Sequence, residues 1–149
     1  MARFTSSIEI ARPPEEVFAY LSDLSRHGEW QGQIQEVQVL TEPPTRVGSR
    51  AKDHRKPPFG PAVWATYEIT AFDPPQTASF RGLDGPVRVD GTVTVSSAEG
   101  GSKVTLDIDL VGHGLVGKLL APVARRQLRK EVPLDQQRLK ERLESGAAG

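Results

Sequence analysis

Residues 87–111, VRVDGTVTVSSAEGGSKVTLDIDLV, decide the fold class. Val87, Val89, Gly91, Val93 and Val95 share one parity, opposed by Arg88, Asp90, Thr92 and Thr94. Beyond the Glu99-Gly100-Gly101 turn, Val104, Leu106, Ile108 and Leu110 alternate with Thr105, Asp107 and Asp109. Period-two alternation predicts two long antiparallel strands with one wet face and one covered face.

Upstream the same rhythm runs back to residue 34, through IQEVQVLT, GSRAKDHRK, AVWATYEITAF and TASFRG. Glu42-Pro43-Pro44, Pro57-Pro58, Asp73-Pro74-Pro75 and Asp84-Gly85-Pro86 separate the segments, because proline and glycine end strands and set turns. A further strand at 3–11 places Phe4, Ile8 and Ile10 on one side. Pro14, Glu15 and Glu16 then suit a first helical turn, with Val17, Phe18, Leu21 and Leu24 as the apolar face. Ser22 or Asp23 can cap a second short helix that stops near Gly28, just before Trp30.

The cover for the sheet must come from the ends of the chain. Residues 114–145 are rich in helix formers, and their expected apolar stripe is Val116, Leu120, Ala124, Leu128 and Val132, continuing through Leu139 and Leu143. Pro122 and Pro133 are expected to kink or interrupt this helix. The order is α+β, with helices segregated to one face of an antiparallel sheet. Residues 1–145 read as a single domain and residues 146–149 as a disordered tail.

The chain has 149 residues, with 19 basic and 19 acidic side chains and no cysteine. That excludes disulfides, thiolate nucleophiles and cysteine-based metal centres. Zero net charge argues against a nucleic-acid partner. No apolar run approaches the roughly 18 residues of a membrane span. With no signal-peptide layout at the N-terminus, a cytoplasmic protein is expected. His27, His54 and His113 sit in three different elements without a second ligand at helical spacing, so no metal site is expected. His27 and His113 read as surface or hinge residues.

Gly112-His113-Gly114-Leu115-Val116-Gly117 spells GxGxxG between a strand and a helix, the local context of a dinucleotide-binding turn. No second parallel strand follows, and a whole βαβ unit is required. A glycine hinge from sheet to helix is the expected role, and no cofactor is expected.

Four stretches carry a resemblance to a known superfamily: IEIARPPEEVFAYLSDLSRHGEW, VGSRAK, YEITAFDPPQTASFRG with GPVRVDGTVTV, and SKVTLDIDLVGHGLVGKLLAPVARR. Over about residues 4 to 143 the chain resembles the SRPBCC or START-like helix-grip superfamily, most of all its polyketide cyclase/dehydrase and lipid-transport branch. The resemblance implies a curved antiparallel sheet gripping a long C-terminal helix, with a mostly apolar cavity between them. Members bind lipids, sterols, polyketides, quinones or hormones, and a minority catalyse cyclisation or dehydration. No universal catalytic motif exists to carry over. Trp30 matches the aromatic that follows the second short helix, and Phe80 the apolar strand position after the Pro-Pro turn.

Ala51-Lys52-Asp53-His54-Arg55-Lys56 is a strand segment with no apolar face. If Ala51 points inward, so do Asp53 and Arg55, while Lys52, His54 and Lys56 face water. A bulge would turn His54 inward instead. The segment is either an edge strand guarded by charge or a polar recognition pair at a cavity mouth. Tyr67 shares a parity with Val63, Ala65 and Ile69, whereas Trp64 has the opposite one.

The expected ligand-facing set is Trp30, Ala51, Asp53, Arg55, Tyr67, Phe80, Val89 and Leu106, with Leu120, Val123 and Gln127 from the helix. The expected function is a carrier or sensor of a small hydrophobic molecule, lipid-, polyketide- or isoprenoid-like. The enzymatic alternative is an aromatase/cyclase, for which Arg55, Asp53, His54 and Tyr67 are the available acid–base groups. A third alternative is an interaction module that uses Trp64 and the helix face. Residues 114–149 hold eight basic and four acidic side chains. They read as the solvated face of a packed helix in preference to a membrane-surface element. Monomer and homodimer both stay open.

Overall fold

A computed structural model describes residues 3–57 and 61–146 of the chain. Pro58 of the expected Pro-Pro turn and residues 147–149 of the expected tail lie outside the described residues. The order is β1 (Arg3–Ile10), α1 (Pro14–Ser22), a 3₁₀ helix (Leu24–Glu29), β2 (Ile34–Val39), β3 (Arg50–Arg55), β4 (Val63–Asp73), β5 (Thr77–Gly82), β6 (Val87–Ala98), β7 (Gly101–Gly112) and α2 (Gly114–Ser145). The seven strands form one curved antiparallel sheet, ordered β1-β7-β6-β5-β4-β3-β2. β6 and β7 pair from Val87 opposite Gly112 to Ala98 opposite Gly101, as their alternation requires. Register shifts between Ile34 and Glu36 and between Ile69 and Ala71 bend the far side of the sheet.

One dense core joins Ile10, Val95 and Val104 from the sheet, Val17, Phe18 and Leu21 from α1, and Leu139 and Leu143 from α2. Asp23 caps the 3₁₀ helix, its Oδ1 accepting from the Ser25 backbone N–H at 3.2 Å.

α2 runs through Pro122 and Pro133 as one 32-residue element, so neither proline interrupts it. Its first half departs from the expected stripe. Gly117 and Ala121 are the buried positions, and Val116 and Leu120 are exposed. The cause is steric. A Cβ on Gly117 would stand 2.1 Å from the Pro86 carbonyl oxygen, and one on Gly112 would stand 2.4 Å from the Gly117 oxygen. The helix therefore starts backbone to backbone against the turn before β6, and only its smallest face fits there. The glycines of the GxGxxG stretch serve this contact and the turn, with Gly114 at φ +70°.

The second half follows the pattern, burying Val132, Leu139 and Leu143. Gln136 is buried among them, and Ser6 satisfies it. The Ser6 hydroxyl donates to Gln136 Oε1 at 2.6 Å, and Gln136 Nε2 donates to the Ser6 carbonyl at 3.1 Å. α2 packs over β1, β7 and β6. Tyr67, Phe80, Val89, Val93 and Leu106 point to the same inner face yet are only partly buried. That uneven cover leaves this apolar floor only half-buried.

Candidate functional site

The parity of β3 builds the polar end of this floor. Ala51, fully buried, pairs with Val39 and Tyr67, and Asp53 pairs with Val37 and Ala65. Asp53 and Arg55 therefore point inward with Ala51, and Asp53 is only 3% exposed. The bulge falls in β2 and not in β3, so His54 stays on the outer face. There it stacks on Trp64 with ring centroids 4.6 Å apart, and Lys52 Nζ lies 4.7 Å from the same ring centroid. β3 lies between β4 and β2 and so is not the edge strand its charge pattern suggested. Its outer face carries the stacked Trp64 contact, while its inner face holds a charged pair.

Arg55 Nη2 donates to Asp53 Oδ2 at 3.2 Å and also to Gln31 Oε1. The other carboxylate oxygen, Asp53 Oδ1, is buried without a hydrogen-bond partner. Trp30 Nε1 is a second buried polar atom without a partner, and its ring meets His27 edge-on at 5.7 Å. A buried polar atom left unpaired costs on the order of 1–3 kcal/mol, which a bound partner group can recover.

His27 belongs to this cluster, although its sequence context suggests a surface or hinge residue. Its Nε2 lies 2.9 Å from the Leu21 carbonyl, which can only accept, so Nε2 carries the proton. Nδ1 is then the acceptor for the Tyr67 hydroxyl at 3.1 Å. Burial holds the His27 pKa below the usual histidine value and so keeps the ring neutral. Burial, followed by the Asp53 carboxylate, pushes the Tyr67 phenol up and keeps it protonated. The Tyr67 hydroxyl thereby stays the donor to His27 Nδ1. Its ring meets Phe80 edge-on at 6.3 Å. Phe80 in turn lies over Gly91, where a Cβ would come within 2.6 Å of the phenyl ring.

The expected ligand-facing residues divide into two groups. Ala51, Asp53, Arg55, Tyr67, Phe80, Val89 and Leu106 share the inner sheet face, and Trp30 packs against the core beside His27. Leu120 and Val123 do not join them. They are 46% and 62% exposed, because the close contact at Gly117 turns them away from the sheet. Gln127 donates to Glu131 at 2.9 Å and lines a polar groove of ≈ 550 Å³ with Gly32, Lys56, Lys130 and Arg138. Gly32 and Lys56 are the chain neighbours of Gln31 and Arg55, so this groove adjoins the polar cluster from outside. Asp135 fixes its rim, accepting from the Gly32 backbone N–H at 3.0 Å and from Arg138 Nη1 at 2.8 Å.

His27 and Gln31 are the site residues that sequence reasoning missed. The available signal was spacing. His27 stands three residues before Trp30, which puts the two rings on one side of a 3₁₀ turn.

Comparison with known proteins bears on the family and the fold. Residues 1–144 match the family described as polyketide cyclase / dehydrase and lipid transport. The toxin Rv0910 of Mycobacterium tuberculosis H37Rv is 29% identical over 136 residues, covering 89% of this chain and 94% of its own. TTHA0849 from Thermus thermophilus superposes with a TM-score of 0.81 at 19% identity, over 98% of this chain and 99% of its own. The Zhui aromatase/cyclase from Streptomyces sp. R1128 gives 0.76 at 15% identity, over 99% of this chain and 93% of its own. At those identities the two structures speak for the fold alone. On the near-complete family match, carried by a helix-grip fold, the chain belongs to the polyketide cyclase/dehydrase and lipid transport family.

Proposed function

We propose that the protein binds one small hydrophobic molecule on the inner face of its sheet, as a carrier or sensor. The molecule is lipid-, polyketide- or isoprenoid-like and bears a hydroxyl or enol. The observation that carries this reading is a half-buried apolar face beside two buried, unpartnered polar atoms of opposite sense, on residues that both neighbour His27. Asp53 Oδ1 accepts and Trp30 Nε1 donates. A hydroxyl both donates and accepts, so it answers the pair, whereas a carboxylate would meet Asp53 as a like charge. Phe80, Val89, Val93 and Leu106 supply apolar contact for the remainder of the ligand.

Displacement of bound anilinonaphthalene sulfonate tests the proposal with two competitors, farnesol and its methyl ether. Farnesol is expected to displace the dye at least about tenfold more effectively, the scale of one hydrogen bond to a charged acceptor. Equal displacement by both overturns the polar recognition. No dye binding and no displacement overturns the binding site itself.

The cyclase reading rests on one further observation, the Tyr67 hydroxyl bonded to His27 Nδ1. That couple is a route by which a proton leaving a bound poly-β-ketone would pass through Tyr67 to the imidazole. The lowered His27 pKa weakens the ring as a final acceptor, and so favours binding over catalysis. Turnover of a poly-β-ketone thioester that Tyr67→Phe abolishes, with binding retained, would reverse that preference.

A further inference from the structure

The first half of α2 shows a face that the inner-sheet site does not use. Leu115, Val116, Leu119, Leu120 and Val123 are between 46% and 78% exposed. At about 100° per residue they share one arc of about 140°, on the side of the helix away from Gly117 and Ala121. Single exposed aliphatics are ordinary, but five on one arc mark a contact surface. Among the described residues no helix is long and apolar enough to cross a membrane, so this face does not belong to a spanning segment.

The charge on the same stretch selects the partner. Residues 114–130 hold Lys118, Arg125, Arg126, Arg129 and Lys130, and no acidic residue. A second copy laid face to face would bring these like charges together. Pro122, Arg125, Arg126 and Arg129 line a recess of ≈ 340 Å³ along one edge of the apolar arc. Arg125 Nη2 donates to the Leu110 carbonyl at 3.0 Å, while its Nε is buried without a partner. Lys118, Arg126, Arg129 and Lys130 form no ion pair among the described residues. Arginines around a recess suit a phosphate, and aliphatics beside them suit the acyl region beneath it.

We propose that the first half of α2 docks the protein on an anionic phospholipid bilayer, its aliphatic arc inserted and the arginine recess holding a lipid phosphate. Lys130 also lines the polar groove beside Arg55 and Gln31. Docking thus sets the groove close to the bilayer surface, without depending on what the inner site binds.

Cosedimentation of the full chain with vesicles is the test. Phosphatidylcholine alone is compared with phosphatidylcholine mixed with phosphatidylglycerol, at low and high salt. Binding is expected only with phosphatidylglycerol and is expected to fall with salt. Arg126→Gln and Arg129→Gln should each weaken it about fivefold. Leu115→Asp with Leu119→Asp should abolish it, with thermal unfolding and farnesol displacement unchanged. Equal binding to both vesicle types, binding to neither, or full binding by the double aspartate variant overturns the proposal. So does a lipid-free dimer that the aspartates break, which assigns the face to a second copy.

Discussion

The two halves of α2 are made of similar residues and do different work. In the second half every inward position meets a partner. Leu139 and Leu143 enter the dense core, Gln136 is bonded twice to Ser6, and Lys140 Nζ donates to the Glu9 carbonyl at 2.8 Å. In the first half Gly117, Ala121, Ala124 and the half-buried Leu128 face the sheet, while Leu115, Val116, Leu119, Leu120 and Val123 face out. One half is an anchor fixed to β1. The other is a thin cover over β7 and β6 that leaves part of the sheet accessible.

Leucine truncation gives the largest contrast. Leu139→Ala should cost about 2–5 kcal/mol in urea unfolding, since it opens a cavity in a fully packed core. Leu119→Ala should stay within about 0.5 kcal/mol of the parent. Equal losses would erase the distinction between the halves.

Next in size is Gly117→Ala. In an ordinary helix interior this change stabilises by about 1 kcal/mol. Here the new Cβ stands 2.1 Å from the Pro86 carbonyl oxygen, a backbone atom that cannot rotate away. A net destabilisation of about 1–3 kcal/mol is expected in urea unfolding, the usual scale of overpacking. A gain in stability would contradict the close contact that sets the register of the first half.

The polar end of the sheet sharpens the comparison through ligand and pH. Asp53→Asn keeps the shape and removes the charge, so farnesol affinity by dye displacement should fall about tenfold or more. The folded-state pKa of His27 lies below the unfolded value of 6.5. As pH falls, the unfolded chain takes up that proton first. The His27 contribution is therefore fully present above about pH 6.5 and declines below it, by at most about 1.4 kcal/mol per pH unit. Urea titrations across this range should show that decline, and His27→Gln should flatten it. The smallest effect belongs to the outer face. Trp64→Ala loses a stacked contact with His54 and Lys52, and should cost less than about 1 kcal/mol with ligand affinity unchanged.

Much of this architecture is legible in the sequence, because alternation is a local property. The strands at 87–98 and 101–112 announce themselves residue by residue, whereas parity alone ties Asp53 and Arg55 only to the side of Ala51. The pairing of β3 with β2 and β4 is what shows that this side is the inner one and that no bulge turns His54. The register of α2 is not local. It follows from one contact between Gly117 and Pro86, 31 positions apart, so an apolar stripe through Val116 and Leu120 reads equally well. The inward turn of His27 escapes the sequence for a related reason. The three-residue spacing puts His27 and Trp30 on one side of the 3₁₀ turn, but which side faces the sheet is set by packing. The unpartnered oxygen of Asp53 is a fact of packing that no pattern along the chain encodes.

The central claim is that a hydroxyl-bearing apolar ligand sits at the polar end of the inner sheet face. The chain has two tryptophans, so its two indole N–H resonances read the two faces of the sheet separately. Amide and indole NMR spectra recorded during a farnesol titration, with Trp64→Phe to assign the peaks, address the claim directly. The account predicts that the Trp30 indole proton moves downfield as Nε1 gains an acceptor, while the Trp64 resonance stays in place. A Trp30 resonance that does not move at saturating farnesol, or a shift confined to Trp64, would contradict it.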